Sequence, residues 1–329
     1  MFESSGRRLF IPDGKDVAVI DADTGTRIGV IRKIGHVSDM AFAPEMNQGF
    51  AVDSDHGVLT IIDLYGLTIL ERAHAGSELS LVLYDPSTKK VFAASDHNKQ
   101  CQVFDPVTRK VIKTVKLGGY AFRGFTGAAG HAYFELSSDA FQKSIIPGLD
   151  AVVSEMPHRS VEIAELDMHT LAITNYWKAP CKAMILLGVD SHLKRLVGGC
   201  NGSVVSIDDE TGRSATLSAI AVKSTWFVQY DSQVGNAVGF TLHAPVLTLI
   251  VLPENTAGEF VDPPVAVQEY RQHRHHIALD GEKGQIFVLI SDEKMVPSGL
   301  MLGLPSGQQP LELPEPVPGT FRVEVYGKN

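Results

Sequence analysis

The stretch VAVIDADTG, residues 17–25, decides the fold, because it returns along the chain at a nearly constant interval. Its first aspartate is Asp21. Acidic residues occupy the equivalent position in later copies, at intervals of about 42 residues except for one longer gap between the third and the fourth copy: Asp63 in LTIIDLYG, Asp105 in CQVFDPVT, Glu165 in VEIAELDMHT and Asp208 in VVSIDDETG. A repeat of this length is typical of propellers, solenoids and repeat arrays. The chain is therefore interpreted as copies of one supersecondary unit.

Each copy reads as short apolar or alternating segments separated by turn residues. In the clearest copy, LSLVLYD, VFAASD, CQVFD and VIKTVKL are predicted to be four consecutive strands, a to d. The turns PSTKK and PVTRK join strands a to b and c to d. The Asp that ends each c strand is interpreted as a turn former, because Asp side chains accept hydrogen bonds from the backbone two residues on. That role is structural rather than catalytic.

Seven b–c hairpins follow this pattern, from RLFIPDGKDVAVID to QIFVLISD with the partner segment LMLGL. The chain shows no a strand before Leu9, and it ends on TFRVEVY (320–326), which matches an a strand. The C-terminal strand is therefore predicted to join the N-terminal blade and close a ring, which leaves only short edges. The fold prediction is an all-β, seven-bladed β-propeller of four-stranded antiparallel blades, in one domain that covers residues 1–329.

Two of the copies, GRRLFIPDGKDVAVIDADTGTRIGVIRKIGHVSDMAFAP and KKVFAASDHNKQCQVFDPVTRKVIKTVKLGG, resemble the repeats of the YVTN-type β-propeller family. The resemblance extends over residues 7–131 and 195–235 and weakens elsewhere. The tetrapeptide that gives the family its name is replaced by FIPDG, FAVDS and FAASD. The resemblance implies the propeller fold; the members of the family do not share one activity, so it implies no function.

Composition narrows the classes of partner. Of 329 residues, 44% are hydrophobic and 20% are charged, as in an ordinary water-soluble globular protein. The 38 acidic and 29 basic residues give a net charge of −9, without a basic stripe. Nucleic acid and anionic membranes would be repelled on average, so we expect neither as a partner. No apolar run approaches the length of a membrane span.

The cysteines and the first residues bear on the compartment. Cys101, Cys181 and Cys200 leave at least one thiol unpaired and lack the C-x-x-C spacing of metal sites, so no disulfide framework is predicted and a reducing compartment is favoured. The segment MFESSGRRLFIPDG has no apolar core of a signal peptide. A cytoplasmic location is therefore expected for the sequence as given, and the mature form of a periplasmic or secreted protein is the alternative.

Three units are longer than the others. The extra residues are 137–160 in the fourth blade, between strands b and c; 253–274, predicted as a d–a connection before the seventh blade; and 291–299, between b and c of the seventh. In a meander blade the b–c and d–a connections lie on the same face of the disc. Long loops gathered on one face of a rigid scaffold typically form a binding surface. Drift at tolerated loop sites is the alternative interpretation.

The starts of the a strands predict a ring of polar side chains at the mouth of the central channel. Most histidines map to the same face as the long loops. Candidate catalytic residues, able to transfer protons near neutral pH, are His36, Glu78, Tyr120, His273 and His275. Candidate substrate-binding residues are Arg123, Lys182, Trp226, His276 and Arg322. A divalent metal held by the histidines is a further hypothesis, without support from a local ligand motif.

Two functions follow from these patterns. The first is binding of a small polar or anionic organic molecule at the channel mouth, with acid–base or metal-assisted chemistry of the lyase, hydrolase or cyclisation type. The second is a non-catalytic scaffold, in which the insertion 137–160 and the loop 253–274 dock a protein partner. The sequence alone leaves both open.

Overall fold

The computed structural model describes residues 1–53, 56–75, 79–127, 130–138, 161–181, 184–200, 203–219, 225–243, 246–255, 258–260, 265–271, 275–297 and 312–327. These parts consist almost entirely of β-strands and turns. The single helix among them is a 3₁₀ turn at Pro44–Met46, and no helix in the described ranges is long and apolar enough to cross a membrane.

Six four-stranded antiparallel sheets follow one another along the chain, each a meander of consecutive strands. Blades 1 to 3 consist of β1 (Phe2–Glu3), β2 (Arg8–Asp13), β3 (Asp16–Asp21) and β4 (Arg27–Ile31); β5 (Val37–Ala43), β6 (Gln48–Asp53), β7 (Val58–Asp63) and β8 (Thr68–His74); and β9 (Leu81–Asp85), β10 (Lys90–Ala94), β11 (Gln100–Asp105) and β12 (Lys110–Lys116). The third of these matches the clearest copy in the sequence strand for strand.

Blades 4 to 6 repeat the arrangement. They consist of β13 (Tyr120–Thr126), β14 (His131–Ser137), β15 (Val161–Asp167) and β16 (Ala172–Lys178); β17 (Ile185–Asp190), β18 (Arg195–Cys200), β19 (Ser203–Asp208) and β20 (Ser214–Ala219); and β21 (Thr225–Asp231), β22 (Asn236–His243), β23 (Val246–Pro253) and β24 (Val265–Arg271). The seventh blade consists of β25 (His275–Asp280), β26 (Gln285–Ile290) and β29 (Arg322–Tyr326). A separate hairpin, β27 (Glu293–Pro297) with β28 (Glu312–Pro316), interrupts it between β26 and β29.

Burial explains why the middle strands read as continuous apolar runs. In β7 every residue from Val58 to Ile62 is buried, because neighbouring blades cover both faces of the sheet. In the outer strand β12, by contrast, Val115 is the one buried residue. Successive side chains of a strand point to opposite faces, so Phe92 packs towards blade 4 while Val91 and Ala93 pack towards blade 2.

Seven apolar clusters join the seven blades into a ring, one cluster at each junction between neighbours. The first strands of consecutive blades contact one another from β5 to β25, and β25 contacts β1. At the closure, Leu9 and Ile11 of blade 1 pack with Phe287 of blade 7. The predicted seven-bladed, all-β propeller is confirmed.

The C-terminal strand takes part in the closure through a different pairing from the one predicted. It is the third strand of blade 7, where Val325 pairs with Phe287 of β26, and it does not pair with the first blade. Its residues Phe321 and Val323 nevertheless pack against the blade 1 core. The short strand β1 supplies the first strand that the sequence seemed to lack before Leu9. The segment LMLGL, predicted as the partner of β26, lies outside the described residues.

Two of the three lengthened units also need correction. Residues 253–274 were predicted to be one d–a connection, but they contain β24, which pairs with β23 as the fourth strand of blade 6. The extra residues of that blade therefore lie between strands c and d, at the opposite face from the one predicted. The b–c connection of blade 7 is longer than 291–299, because it includes the hairpin β27–β28. Within the insertion 137–160, residues 139–160 lie outside the described ranges.

In blades 1 to 5 the turn at the end of the c strand has the predicted chemistry, whereas the c strands of blades 6 and 7 end at Pro253 and Tyr326. Asp21 accepts hydrogen bonds from the N–H groups of Asp23 and Thr24, at 3.0 and 2.8 Å. In blade 4 the turn former is Asp167, which accepts from His169 and Thr170, and not Glu165, which the sequence placed in that position. The same turn recurs at Asp63, Asp105 and Asp208.

Candidate functional site

The alternation of strand direction divides the connections between two faces of the disc. The b–c turns and the connections from strand d to the next blade lie on one face, called here the b–c face. The a–b and c–d turns lie on the other, called the a–b face. Described histidines at the b–c face are His36, His56, His74, His97, His243, His275 and His276, whereas His131, His169 and His192 lie at the a–b face.

The b–c face of blade 2 holds a buried carboxylate beside two histidines. Asp53 ends strand β6 and is only 6% exposed, and its Oδ2 lies 3.1 Å from Nδ1 of His56. Gly35 has φ +106°, and a Cβ at that position would lie 2.3 Å from Asp53 Oδ2. The absence of a side chain at Gly35 therefore lets the Asp53 carboxylate sit under the connection that presents the exposed His36.

The b–c turn of blade 3 repeats the pairing of imidazole with carboxylate. Nδ1 of the exposed His97 lies 2.8 Å from Oδ1 of Asp96. The buried hydroxyl of Ser95 accepts hydrogen bonds from the N–H groups of His97 and Asn98, at 2.9 and 3.2 Å, which fixes the turn. Because Nδ1 faces a carboxylate in both pairs, the opposite ring nitrogen, Nε2, is directed away from the pair.

A cation and an aromatic ring connect this turn to blade 4. Lys99 Nζ lies 4.9 Å from the centroid of the Tyr120 ring, across the junction of blades 3 and 4. An ammonium group above an aromatic face is attracted by the ring quadrupole. We call the group of polar side chains at this face the blade 2–4 rim; its members are His36, Asp53, His56, Asp96, His97, Lys99 and Tyr120.

Beneath the rim, a carboxylate of the first strand joins blades 2 and 3. Asp39 follows a bulge in β5, and its Oδ2 accepts a hydrogen bond of 2.9 Å from the N–H of Val82 in β9. Burial raises the pKa of Asp39 to about 6, against the lowering effect of the backbone hydrogen bonds from Val82 and Met40. The neighbouring hydroxyl of Ser38 donates to the carbonyl oxygens of Val52 and Leu79.

A second carboxylate joins blades 4 and 5. Glu135 of β14 accepts a hydrogen bond of 2.7 Å from the N–H of Leu186 in β17, and its cross-strand neighbour is Arg123. Burial raises the pKa of Glu135 to about 7, opposed by the Leu186 hydrogen bond and the Arg123 charge. Burial also lowers the pKa of the Arg123 guanidinium. Arg123 therefore lies at a blade junction against Glu135.

The predicted site residues divide into four groups. His36 and Tyr120 belong to the rim, and Arg123 lies at the adjacent junction. Arg322 lies in the third strand of blade 7, exposed beside Glu324, and therefore does not join a ring of first strands as predicted. The backbones of Trp226, His275 and His276 lie in the first strands β21 and β25, and their side chains are outside the description. Glu78, Lys182 and His273 lie outside the described residues.

The carboxylates of the rim, Asp53 and Asp96, were not among the predicted site residues, although the sequence contains a signal for them. The letters S-D-H recur in the b–c turns DSDHG and SDHNK. In the second of these turns the Asp next to the histidine, Asp96, pairs with it, whereas in the first the pairing residue is Asp53, three positions before His56. The recurrence could have indicated paired histidines; it could not have indicated which carboxylate pairs.

A buried network of charged groups joins blades 5 and 6 at the a–b face. Nε of Arg195 lies 3.1 Å from Asp190 Oδ2, Nη1 donates to the Gly258 carbonyl at 2.8 Å, and Nη2 donates to Glu254. The Tyr230 hydroxyl donates to Glu254 at 2.7 Å. Each side-chain nitrogen of Arg195 and the Tyr230 hydroxyl has an acceptor within the protein, so this network supports the fold.

A shallow cleft of about 380 Å³ lies on the a–b face between blades 3 and 4. It is lined by Asp85, Pro86, Ser87, Thr126, Gly127, Gly130 and His169. The Asp85 carboxylate already accepts hydrogen bonds from Ser87 and Thr88, as a turn former at the end of β9. This carboxylate of the cleft lining is therefore engaged within its own turn.

The cysteine chemistry differs from the prediction. Cys181 and Cys200 form a disulfide with their Cα atoms 6.1 Å apart, joining the connection before β17 to the end of β18 at the b–c face. Cys181 is therefore not a free nucleophile in this structure, and a disulfide is typical of oxidising compartments rather than the reducing one that was favoured. Cys101 is a buried thiol, and burial raises its pKa.

The described side chains do not assemble a metal centre. Within the described ranges no group of three or more His, Cys, Asp or Glu side chains is arranged to hold a metal ion. This statement does not include the densest histidine run, residues 273–276, because its side chains are not among those that the structure describes. The metal hypothesis therefore stays a prediction.

Comparison with known proteins supports the fold and no more. No model of a protein family matches the chain, and no curated protein sequence matches it. Among solved structures, hydrazine synthase of Kuenenia stuttgartiensis is similar, with a TM-score of 0.59 and 13% identity over 76% of this chain and 74% of that chain. At this identity the similarity shows a shared β-propeller architecture alone. The likeness to YVTN-type repeats remains a resemblance.

Proposed function

We propose that the protein binds a small polar or anionic organic molecule at the b–c face, between the channel mouth and the blade 2–4 rim. The observation that carries the proposal is the repeated pairing of histidine with carboxylate, Asp53 with His56 and Asp96 with His97, beside His36 on the same face. Convergent polar groups on a rigid scaffold are what orients a small ligand.

The contrast between the two faces supports this choice. At the a–b face the described residues show one such pair, in which Nδ1 of His131 lies 2.9 Å from Oε1 of Glu165 and the His131 side chain is 31% exposed. Arg195 on that face donates to Asp190, Glu254 and the Gly258 carbonyl. At the b–c face, His56 and His97 are 69% and 44% exposed in their side chains, and Lys99 is exposed above Tyr120. Exposed imidazoles that are held in place by carboxylates can donate protons to a ligand oxygen or accept them from it.

We extend the proposal to proton transfer near neutral pH, with His36 and Tyr120 from the described residues and Glu78, His273 and His275 as further candidates. Imidazole side chains are suitable general acids and bases in this range. The reaction types that need such groups, and little else from the protein, are of the lyase, hydrolase and cyclisation kind. Arg123, Lys182, Trp226 and His276 are the proposed binding residues, of which Arg123 is engaged with Glu135.

The experiment uses citrate and inorganic phosphate as anionic probes, with binding measured by calorimetry and by NMR of the histidine ring protons. A double variant, H36A with H97A, should weaken binding of a probe at least tenfold, because two donors are removed. The control is H192A, which alters an a–b turn. Failure of both probes to bind the wild type, or equal binding by the double variant, would contradict the proposal.

A second candidate function is that of a protein-docking scaffold, and one observation favours it. The hairpin β27–β28 forms its own two-stranded sheet within the b–c connection of blade 7, separate from the blades in the described part of the chain. Together with the insertion 137–160 it would present a partner with an extended surface on the b–c face. This candidate predicts that shortening the hairpin abolishes a partner interaction that survives the H36A and H97A changes.

A further inference from the structure

The outermost strand of blade 3, β12, differs in charge from the outer strands of other blades. It carries Lys110, Lys113 and Lys116 in the sequence KVIKTVK, whereas the outer strands β4, β8, β16, β20 and β24 each have at most one lysine or arginine. All three lysines are exposed, and the ion pairs among the described residues do not include them. Strand β12 is thus a positively charged edge on a chain whose net charge is −9.

The positive charge extends over the whole of blade 3. From residue 85 to residue 116 the chain has seven basic and three acidic residues. The three carboxylates are engaged locally, because Asp85 and Asp105 accept hydrogen bonds within their turns and Asp96 lies against His97. The excess is confined to one blade, so the balance of the whole chain does not reveal it. It makes the outer edge of blade 3 attractive to an anionic partner.

The outer side of β12 also exposes apolar side chains. In the described part of the chain no strand pairs with β12 on the side away from β11. The five residues from Lys110 to Thr114 are all exposed, and among them Val111 and Ile112 are 39% and 48% exposed. Val107, in the turn before the strand, is 72% exposed. A strand edge with apolar side chains beside it is a template for pairing with another extended segment.

We propose that β12 binds an extended acidic peptide of a partner protein, which adds a fifth, antiparallel strand to blade 3. Lysines on an edge strand oppose pairing between identical strands, because like charges would face each other. The same lysines attract a strand that carries carboxylates, so they select the partner. Val111 and Ile112 can be covered by aliphatic side chains of a peptide, whereas a single-stranded nucleic acid would need aromatic rings for stacking.

The regular part of the strand sets the spacing of the acidic residues in the partner. A bulge at Ile112 interrupts the pairing of β12 with β11, and the pairing is regular from Lys113 to Lys116. Lys113 faces blade 4, because its Nζ lies 3.5 Å from the Thr170 carbonyl oxygen, and Val115 on the same side packs in the core between blades 3 and 4. Lys116 therefore points to the other side of the sheet. The partner should have acidic residues at positions i and i+3, one on each side of its strand.

The strength of the contact follows from its size. A single short strand covers less area than a standard stable interface, so we expect a dissociation constant on the order of 100 μM, which rises with salt concentration. The contact uses no side chain of the blade 2–4 rim and no residue of the hairpin β27–β28. The proposal therefore goes beyond both proposed functions, and each can fail alone.

The test uses two synthetic peptides of the same composition, built from threonine, valine and two glutamates, with binding measured by NMR titration at physiological salt. The glutamates are three residues apart in the first peptide and two apart in the second. The first should bind about threefold more tightly, because only it places a carboxylate opposite both Lys113 and Lys116. K113E/K116E should weaken its binding about tenfold. The matched control is K15E/R27E, which makes the same change of charge at exposed positions of blade 1 and should leave binding unchanged.

Backbone pairing is tested separately with two N-methylated forms of the first peptide, methylated at alternate residues. One form should lose binding, because its methyl groups replace the N–H groups directed to β12, and the other should keep it. Thermal unfolding of each protein variant verifies that it is folded.

Several results would overturn the proposal. They are no binding of the first peptide, equal binding of both spacings, binding of both methylated forms, and a short single-stranded DNA that binds as tightly as the peptide. Sedimentation velocity adds one more, because self-association of the wild type that is lost in K113E/K116E would mean that a second copy occupies the edge.

Discussion

At the scale of single residues, the rim depends on a position that tolerates no side chain. Gly35 combines a φ of +106° with a contact to Asp53 so close that an added Cβ would lie 2.3 Å from the carboxylate. A residue that is both conformationally restricted and sterically confined usually supports a functional arrangement. Here it connects the burial of Asp53 to the placement of His36 and His56.

We predict that Gly35→Ala destabilises the protein by about 1–3 kcal/mol and weakens ligand binding at the rim, because the Asp53 carboxylate must move away from His56. Gly25→Ala is the matched control, since Gly25 also has a positive φ of +70° but no atom within 4 Å of an added Cβ. Its cost should be about 1 kcal/mol, from backbone conformation alone. Equal unfolding free energies of the two variants would refute the steric argument.

The buried Glu135 predicts a pH dependence of stability. Its pKa is raised to about 7 in the folded protein, from 4.5, so the folded state holds a proton that the unfolded state has already lost between these values. The stabilising contribution of Glu135 is therefore full below about pH 4.5 and disappears as the pH rises through 7. Glu135→Gln keeps an acceptor for the Leu186 N–H but does not titrate.

We predict that the unfolding free energy of the wild type, relative to that of Glu135→Gln, falls by up to about 3 kcal/mol from pH 4.5 to pH 8. Denaturant titrations of both proteins at a series of pH values measure the difference. Groups such as Asp39 titrate in both proteins and cancel in the comparison. A difference that stays constant with pH, or one that rises, would show that the carboxyl is not protonated in the folded state.

At the scale of elements, the blade junctions show which parts of the fold are readable from local sequence. The c-strand aspartates revealed the repeat, because an Asp turn is a local interaction among adjacent residues. In VEIAELDMHT two acidic residues, Glu165 and Asp167, could have formed the turn at the end of the c strand. Glu165 was predicted to form it, but Asp167 does. The displacement is two residues, which preserves the side of the strand and so leaves the apolar pattern unchanged.

Pairings between distant segments were not readable in this way. The alternation in RVEVY fits a first strand or a third strand equally, and only contact with β26 decides between them. Strand β24 was not predicted, because the prolines at 263–264 directly precede it and are typical of a loop. Cys181 and Cys200 are 19 residues apart, and it is the fold of blade 5 that brings them within bonding distance.

The junction of blades 5 and 6 gives a prediction at this scale. Arg195 is buried between Asp190 and Glu254, so Arg195→Ala leaves two buried carboxylates without a counter-charge and should cost about 3–5 kcal/mol of unfolding free energy. The adjacent Lys194 forms an exposed ion pair with Glu210 and serves as the control. Lys194→Ala should leave the unfolding free energy nearly unchanged. If chemical denaturation gives similar unfolding free energies for the two variants, the buried network does not stabilise the junction of blades 5 and 6.

At the scale of the whole molecule, the candidate site was only partly predictable. The sequence placed most histidines on the b–c face, because their positions follow the strand alternation, and the structure has His36 and Tyr120 on that face. Arg322 was misplaced together with its strand. Asp53 and Glu135 were missed, because their importance comes from burial between segments that are distant in sequence. Side-chain partners across a junction are a property of the closed ring and not of a single repeat.

Ring closure leads to a prediction about the cooperativity of unfolding. A closed ring has no terminal blade at which unfolding could begin. Phe287 in blade 7 packs against Leu9 and Ile11 of blade 1, and it is as buried as Phe92 at the junction of blades 3 and 4. Phe287→Ala and Phe92→Ala should therefore both lower the global unfolding free energy by about 3–5 kcal/mol and keep a single cooperative transition. Hydrogen exchange should accelerate in all blades for both variants. If Phe287→Ala instead accelerates exchange only in β2 and β26, the closure is a local contact and the molecule behaves as an open array.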